Sequence, residues 1–135
     1  MDTIRSWSYS RPDSADVWDW ESGDFEASDW PLPETGADVT YEDGGYRVLV
    51  RGVIHTPPHA EALPRRVAAD EDGLHLELEE VREDVDGLIP DVEVHRPYEV
   101  VVEFDDRTEE ADLPRQTVVE YYRNETPFFR TAAER

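Results

Sequence analysis

From Asp38 onward, apolar side chains recur at every second position in short runs closed by turn signals, the pattern of half-buried strands. Val39-Thr40-Tyr41 leads into Asp43-Gly44-Gly45, a hairpin-type turn. The next run, Tyr46 to Ile54, places Tyr46, Val48, Val50 and Ile54 on one face, and Thr56-Pro57-Pro58-His59 ends it as a loop. Arg66–Ala69 and Leu74–Leu78 flank Asp72-Gly73, a second hairpin signal. There Leu74, Leu76 and Leu78 are expected to face inward, with His75, Glu77 and Glu79 outward. Val92-Glu93-Val94 and Tyr98–Phe104 lie either side of Pro97, which predicts a bulge or an edge. After Leu113-Pro114, Thr117–Tyr122 is the last predicted strand. Six or seven strands at intervals of roughly 8–12 residues predict an all-β fold, an antiparallel immunoglobulin-like β-sandwich.

The first thirty residues read differently. They hold all four tryptophans and all six serines, and they interleave acids with aromatics around Trp18, Trp20, Phe25 and Trp30. Pro31-Leu32-Pro33 resists both helix and central strand. The chain therefore divides into an acidic, Trp-rich N-terminal arm (1–36), a sandwich domain (37–124) and a C-terminal tail (125–135).

Several of these features travel together in a known group. Val50-Arg51-Gly52-Val53-Ile54-His55-Thr56-Pro57-Pro58-His59 is a Gly-containing strand running into a Thr-Pro loop. Asp70-Glu71-Asp72-Gly73-Leu74-His75-Leu76 is an Asp-Gly hairpin, and Tyr98-Glu99-Val100-Val101-Val102-Glu103-Phe104 is a Tyr-Glu strand. Leu113-Pro114 then opens a Val-rich strand. The stretch from Gly52 to Tyr122 resembles small haloarchaeal β-sandwich domains of unknown function. That resemblance implies the fold and no active site. Members of the group often carry an export signal and paired cysteines; this chain has no cysteine, and MDTIRSWSYSRPDS lacks the apolar core of a signal peptide.

Charge narrows the picture further. Thirty-four Asp and Glu face thirteen basic residues, all arginine, giving a net charge of -21. Concentrated salt shrinks the Debye length to about 3 Å near 1 M and relieves the resulting repulsion, so the composition points to a halophile. Always-charged, weakly hydrated arginine in place of lysine fits the same medium. Scattered arginines disfavour a nucleic-acid partner, and no window of 18 apolar residues suggests a membrane span. A cytoplasmic protein, or a virion component assembled in the cytoplasm, is the expectation.

Candidate chemistry is sparse. Residues 38–135 contain no Ser, Cys or Lys, which removes the common nucleophiles. Carboxylate pairs are too numerous to single one out. His55 and His59 bracket the Thr-Pro-Pro turn and are the candidate metal ligands, since imidazole suits Zn, Cu, Fe and Ni; a surface or structural role is the alternative. Asp84, Asp86 and Asp91 lack the pattern of a calcium loop, so only non-specific cations are expected there, and no cofactor is. Trp18, Trp20, Phe25 and Trp30, with Phe128 and Phe129 in the tail, are candidate partner-binding residues, because large rigid aromatics dominate binding hot spots. The same rings could instead close the chain's own core. The expected function is a non-enzymatic structural or interaction protein tied by its arm to a protein partner or to further copies of itself, such as a capsid-decoration or tail-associated protein of a haloarchaeal virus. A stand-alone ligand- or metal-binding sandwich is the alternative.

Overall fold

A computed structural model describes residues 4–11, 36–84, 87–88 and 94–135, and these form two four-stranded sheets packed face to face. The strands are β1 (Ile4–Ser10), β2 (Gly36–Glu42), β3 (Arg47–Thr56), β4 (Ala60–Asp70), β5 (Gly73–Arg82), β6 (Val94–Phe104), β7 (Gln116–Arg123) and β8 (Thr126–Glu134). One sheet has the order β1-β6-β3-β2 and the other β4-β5-β7-β8.

Alternation fills the space between them. Val48, Val50 and Ile54 of β3, Leu74, Leu76 and Leu78 of β5, Val100 and Val102 of β6, and Val119 and Tyr121 of β7 are all buried in one cluster. His75, Glu77 and Glu79 are only partly buried, as their outward register requires. Both Asp-Gly turns form. Asp43, Gly44 and Gly45 adopt positive φ (54°, 70° and 101°), and Gly73 closes the β4–β5 hairpin at φ 137°.

Three features depart from the sequence pattern. First, the sheets extend beyond 37–124. β1 pairs with β6 over Ile4–Ser10, and β8 pairs with β7 over Thr126–Glu134, giving eight strands among the described residues rather than six or seven. Both are edge strands, so half their positions face water and the apolar alternation is weak. Second, β5 and β7 are parallel, so the sandwich is not wholly antiparallel. The chain crosses to the other sheet as β6 between them, and two reversals restore the original direction. Third, β6 runs through Pro97 without a break, paired with β3 at Val53. Among the described residues β1 reaches only as far as Glu99, so Pro97 has a neighbouring strand on one side alone. There a missing N–H need cost no ladder bond.

Side chains fasten the sheets along both open flanks. On the β1/β4 flank, the Tyr9 hydroxyl donates to the Ala62 carbonyl and Arg11 pairs with Glu61. On the β2/β8 flank, the Tyr41 hydroxyl donates to the Ala133 carbonyl (3.0 Å) and shares a bond with Thr117 Oγ1 (2.8 Å).

Gly52 is where the buried Tyr98 ring reaches across β3. A Cβ there would overlap both the Tyr98 hydroxyl and the Gly36 carbonyl oxygen. The ring, 1% exposed, has no room to retreat. Gly52→Ala is therefore expected to cost about 2–3 kcal/mol in urea unfolding, the range for overpacking a filled core. A loss below about 0.5 kcal/mol would show that β2 yields instead.

Candidate functional site

The strand directions sort the connections cleanly. The β2–β3, β4–β5 and β6–β7 connections lie at one end of the sandwich; those of β1–β2, β3–β4, β5–β6 and β7–β8 lie at the other. The second end carries the stretch between Ser10 and Gly36, although β1 and β2 are only three strand spacings apart, roughly 14 Å. About five extended residues would cover that distance. Residues 12–35 contain eight carboxylates, no arginine, and Trp18, Trp20, Phe25 and Trp30.

At this loop-bearing end the apolar filling stops and the inward positions become charged. Extending the inward alternation of β5 beyond Leu78 reaches Glu80 and then, at the exposed mouth, Arg82; that of β7 beyond Tyr121 reaches Arg123; that of β6 back from Tyr98 reaches Arg96. Glu80 is the buried member, its side chain 1% exposed. Its Oε2 accepts from Arg82 Nε at 3.0 Å, and its Oε1 accepts from the Tyr121 hydroxyl at 3.3 Å. Arg123 Nε lies 3.5 Å from Oε1, near enough for Coulomb attraction but without hydrogen-bond geometry. Arg123 Nη2 donates across the gap to the His55 carbonyl at 2.6 Å, so this one side chain joins the sheets. Arg96 holds the β3–β4 turn, donating to Thr56 Oγ1 (3.3 Å) and to the Pro58 carbonyl (3.2 Å). Three arginines and one glutamate leave this layer at +2 in a chain whose net charge is -21.

Phe128 stands at the rim. It occupies the β7–β8 register shift, is 53% exposed, and carries the Arg123 guanidinium 3.9 Å above its ring. The Tyr121 ring meets it edge-on, with centroids 6.1 Å apart. Phe129 points the other way, half-buried against the core. The two tail aromatics thus separate into one exposed ring and one core ring. Trp18, Trp20, Phe25 and Trp30 lie outside the described residues. Trp7, in β1, is 45% exposed.

The two candidate metal ligands sit on different elements. His55 is on β3, opposite His95 of β6 in register, and its carbonyl is the Arg123 acceptor. His59 is in the turn, its carbonyl accepting from the Glu83 N–H (2.8 Å) and its Nδ1 buried without a partner. Among the described residues no three His, Asp or Glu side chains gather as a metal site. Asp84 is exposed, while Asp86 and Asp91 lie outside the described residues. Sequence reasoning missed Glu80, Arg82, Arg96 and Arg123. The signal was present as the same alternation, carried past the last apolar residue of each strand.

Burial pushes the phenols of Tyr9 and Tyr121 up to about 12, and it raises Tyr98 as well. Because the folded chain holds these protons more tightly, their contribution is complete below pH 10 and is lost as pH rises from 10 through 12. Absorbance at 295 nm should show these phenols ionising only as the protein unfolds in that window; free titration near pH 10 would contradict their burial. Glu80→Ala removes the carboxylate from beside the largely buried Arg123, while the half-exposed Arg82 stays solvated. It is expected to lower stability by about 3 kcal/mol, measured by denaturant unfolding. A change within about 0.5 kcal/mol would mean that water replaces the carboxylate at no cost.

No family model, curated protein or solved structure matches this chain.

Proposed function

We propose that the chain is a non-enzymatic interaction module, an immunoglobulin-like sandwich that ties a larger assembly together from its loop-bearing end. The observation that supports this reading is the 25-residue connection from β1 to β2, carried at that end. Residues 12–35, acidic and rich in tryptophan, join β1 to β2 at the end that carries the arginine layer and the exposed Phe128. Segments of this composition bind by burying a few rings, while their carboxylates keep them in solution. The polar groups of the platform are committed to holding the fold: Glu80 to Arg82 and Tyr121, and Arg123 to His55. That favours presentation over turnover.

The acid excess and the absence of lysine support a salt-loaded setting. There, screening to about 3 Å near 1 M salt weakens charge-only recognition. Ring burial survives screening, so the aromatics are the recognition elements. A component of a haloarchaeal particle, added to a shell or tail through residues 12–35, is the specific form of the proposal.

Because β1 belongs to the sheet, trimming the N-terminus would remove a strand, and the test must be made inside the segment. A chain carrying Trp18→Ser, Trp20→Ser and Trp30→Ser is expected to lose its assembly partner in affinity capture from producing cells. Its Tm should stay within about 2 °C of wild type, because on this reading the three rings are buried against the partner and not against the chain's own core. Capture unchanged with a Tm lowered by more than about 5 °C would place these rings on the chain's own sandwich and overturn the reading.

A further inference from the structure

Among the described residues four edge strands flank the sandwich, and three are defended against pairing with another chain. The register of β1 shifts between Ile4 and Ser6, and that of β4 shifts between Pro64 and Arg66, beside a proline. Bulges and prolines of this kind blunt an edge. β2 is regular but carries Asp38 and Glu42, so pairing with a second β2 sets carboxylate against carboxylate or leaves both unmatched.

β8 is different. From Phe129 to Glu134 it is paired residue by residue with β7 on one side, with no shift and no proline. Arg130, Ala132 and Glu134 lie exposed on its outward face, while Phe129, Thr131 and Ala133 face inward and are partly buried. Among the described residues, neither Arg130 nor Glu134 has an ion-pair partner within the chain. Thr126–Arg135 carries a net +1, against -21 for the whole.

We propose that β8 is a self-association edge, at which two copies of the chain pair antiparallel about Ala132 and join their β4-β5-β7-β8 sheets into one of eight strands. Charge fixes the occupant and the register. A two-fold axis perpendicular to the sheet sets outward residues opposite outward residues, so the register moves in steps of two. Centred on Ala132, it places Arg130 of each copy opposite the other's Glu134, two reciprocal ion pairs around a flat Ala–Ala contact. Centred on Arg130 or on Glu134 it opposes like charges, and centred on Thr131 or Ala133 it leaves both residues unmatched. Pro127 falls outside the paired stretch. The Arg135 N–H donates to the Arg115 carbonyl (2.7 Å), so by alternation Ala133 turns its backbone groups to β7 and Ala132 presents its own to the open edge.

The inference is independent of the partner reading, because the purified chain alone reports on it. Light scattering in about 0.5 M KCl, where the Debye length is roughly 4–5 Å, should show mass rising from monomer to dimer with concentration. Arg130→Glu and Glu134→Arg should each raise the dimer dissociation constant at least tenfold, with the Tm of the monomer, read at concentrations well below that constant, unchanged, since both positions face water. The double variant R130E/E134R restores the opposed pairs and should return the constant to within about threefold of wild type. A wild-type chain that stays monomeric up to roughly 0.5 mM overturns the proposal. So does a single variant that dimerises like wild type, or a double variant that fails to recover.

Discussion

The Arg123 side chain is where the two sheets stop being separate layers. Its guanidinium donates to the His55 carbonyl of one sheet, lies against Glu80 of its own sheet, and covers the exposed Phe128 ring. A pair as buried as this adds little net stability over an apolar filling of the same volume, because desolvation offsets most of the attraction. What it contributes is position. The donor directions of a planar guanidinium fix β7 relative to β3 in a way that sliding aliphatic side chains do not. The loop-bearing end is thereby held as a platform, with Arg96 fastening the adjoining turn.

Charge acts differently at the two kinds of surface. Over most of the molecule the acids occupy outward strand positions and turns, where they repel one another and keep edges apart. Local pairs such as Arg51–Glu99 (3.1 Å) and Arg47–Glu42 (2.7 Å) join neighbouring strands, and exposed pairs of this sort contribute well under 1 kcal/mol each. Along β8 and in the layer around Arg123 the acid excess disappears. Those are the places where surface can be buried against another chain without first overcoming repulsion between carboxylates.

Much of the fold was legible, because alternation reports directly on which face of a strand is buried. Leu74, Leu76 and Leu78 faced inward as the period of two requires, and both Asp-Gly turns closed hairpins. β1 and β8 were not legible, since edge strands bury only a few side chains; in β8, one of two adjacent phenylalanines faces the core and the other faces water. The parallel β5–β7 pair was invisible for another reason: period two says nothing about which sheet the next strand joins. The charged layer was legible in principle. Glu80, Arg96 and Arg123 fall on the inward series of their strands, but a charged residue at the end of an apolar run reads as solvent-facing unless burial is known. Register, not residue type, identified them.

Topology ties the β8 edge to the loop-bearing end. All four connections of that end lie on one side of the sandwich, and β8 runs from it to the opposite end. An antiparallel β8 pair related by a two-fold axis perpendicular to the sheet therefore points its two loop-bearing ends in opposite directions. Each pole would present its own arginine platform and its own residues 12–35, so the pair could not close both ends onto a single partner surface. It would bridge two partners instead. A bivalent strut of this kind adds avidity only where binding sites face each other across its length, and it extends an array wherever they do. Self-pairing along one flank thus fixes the direction of the two poles, whatever partner residues 12–35 recognise.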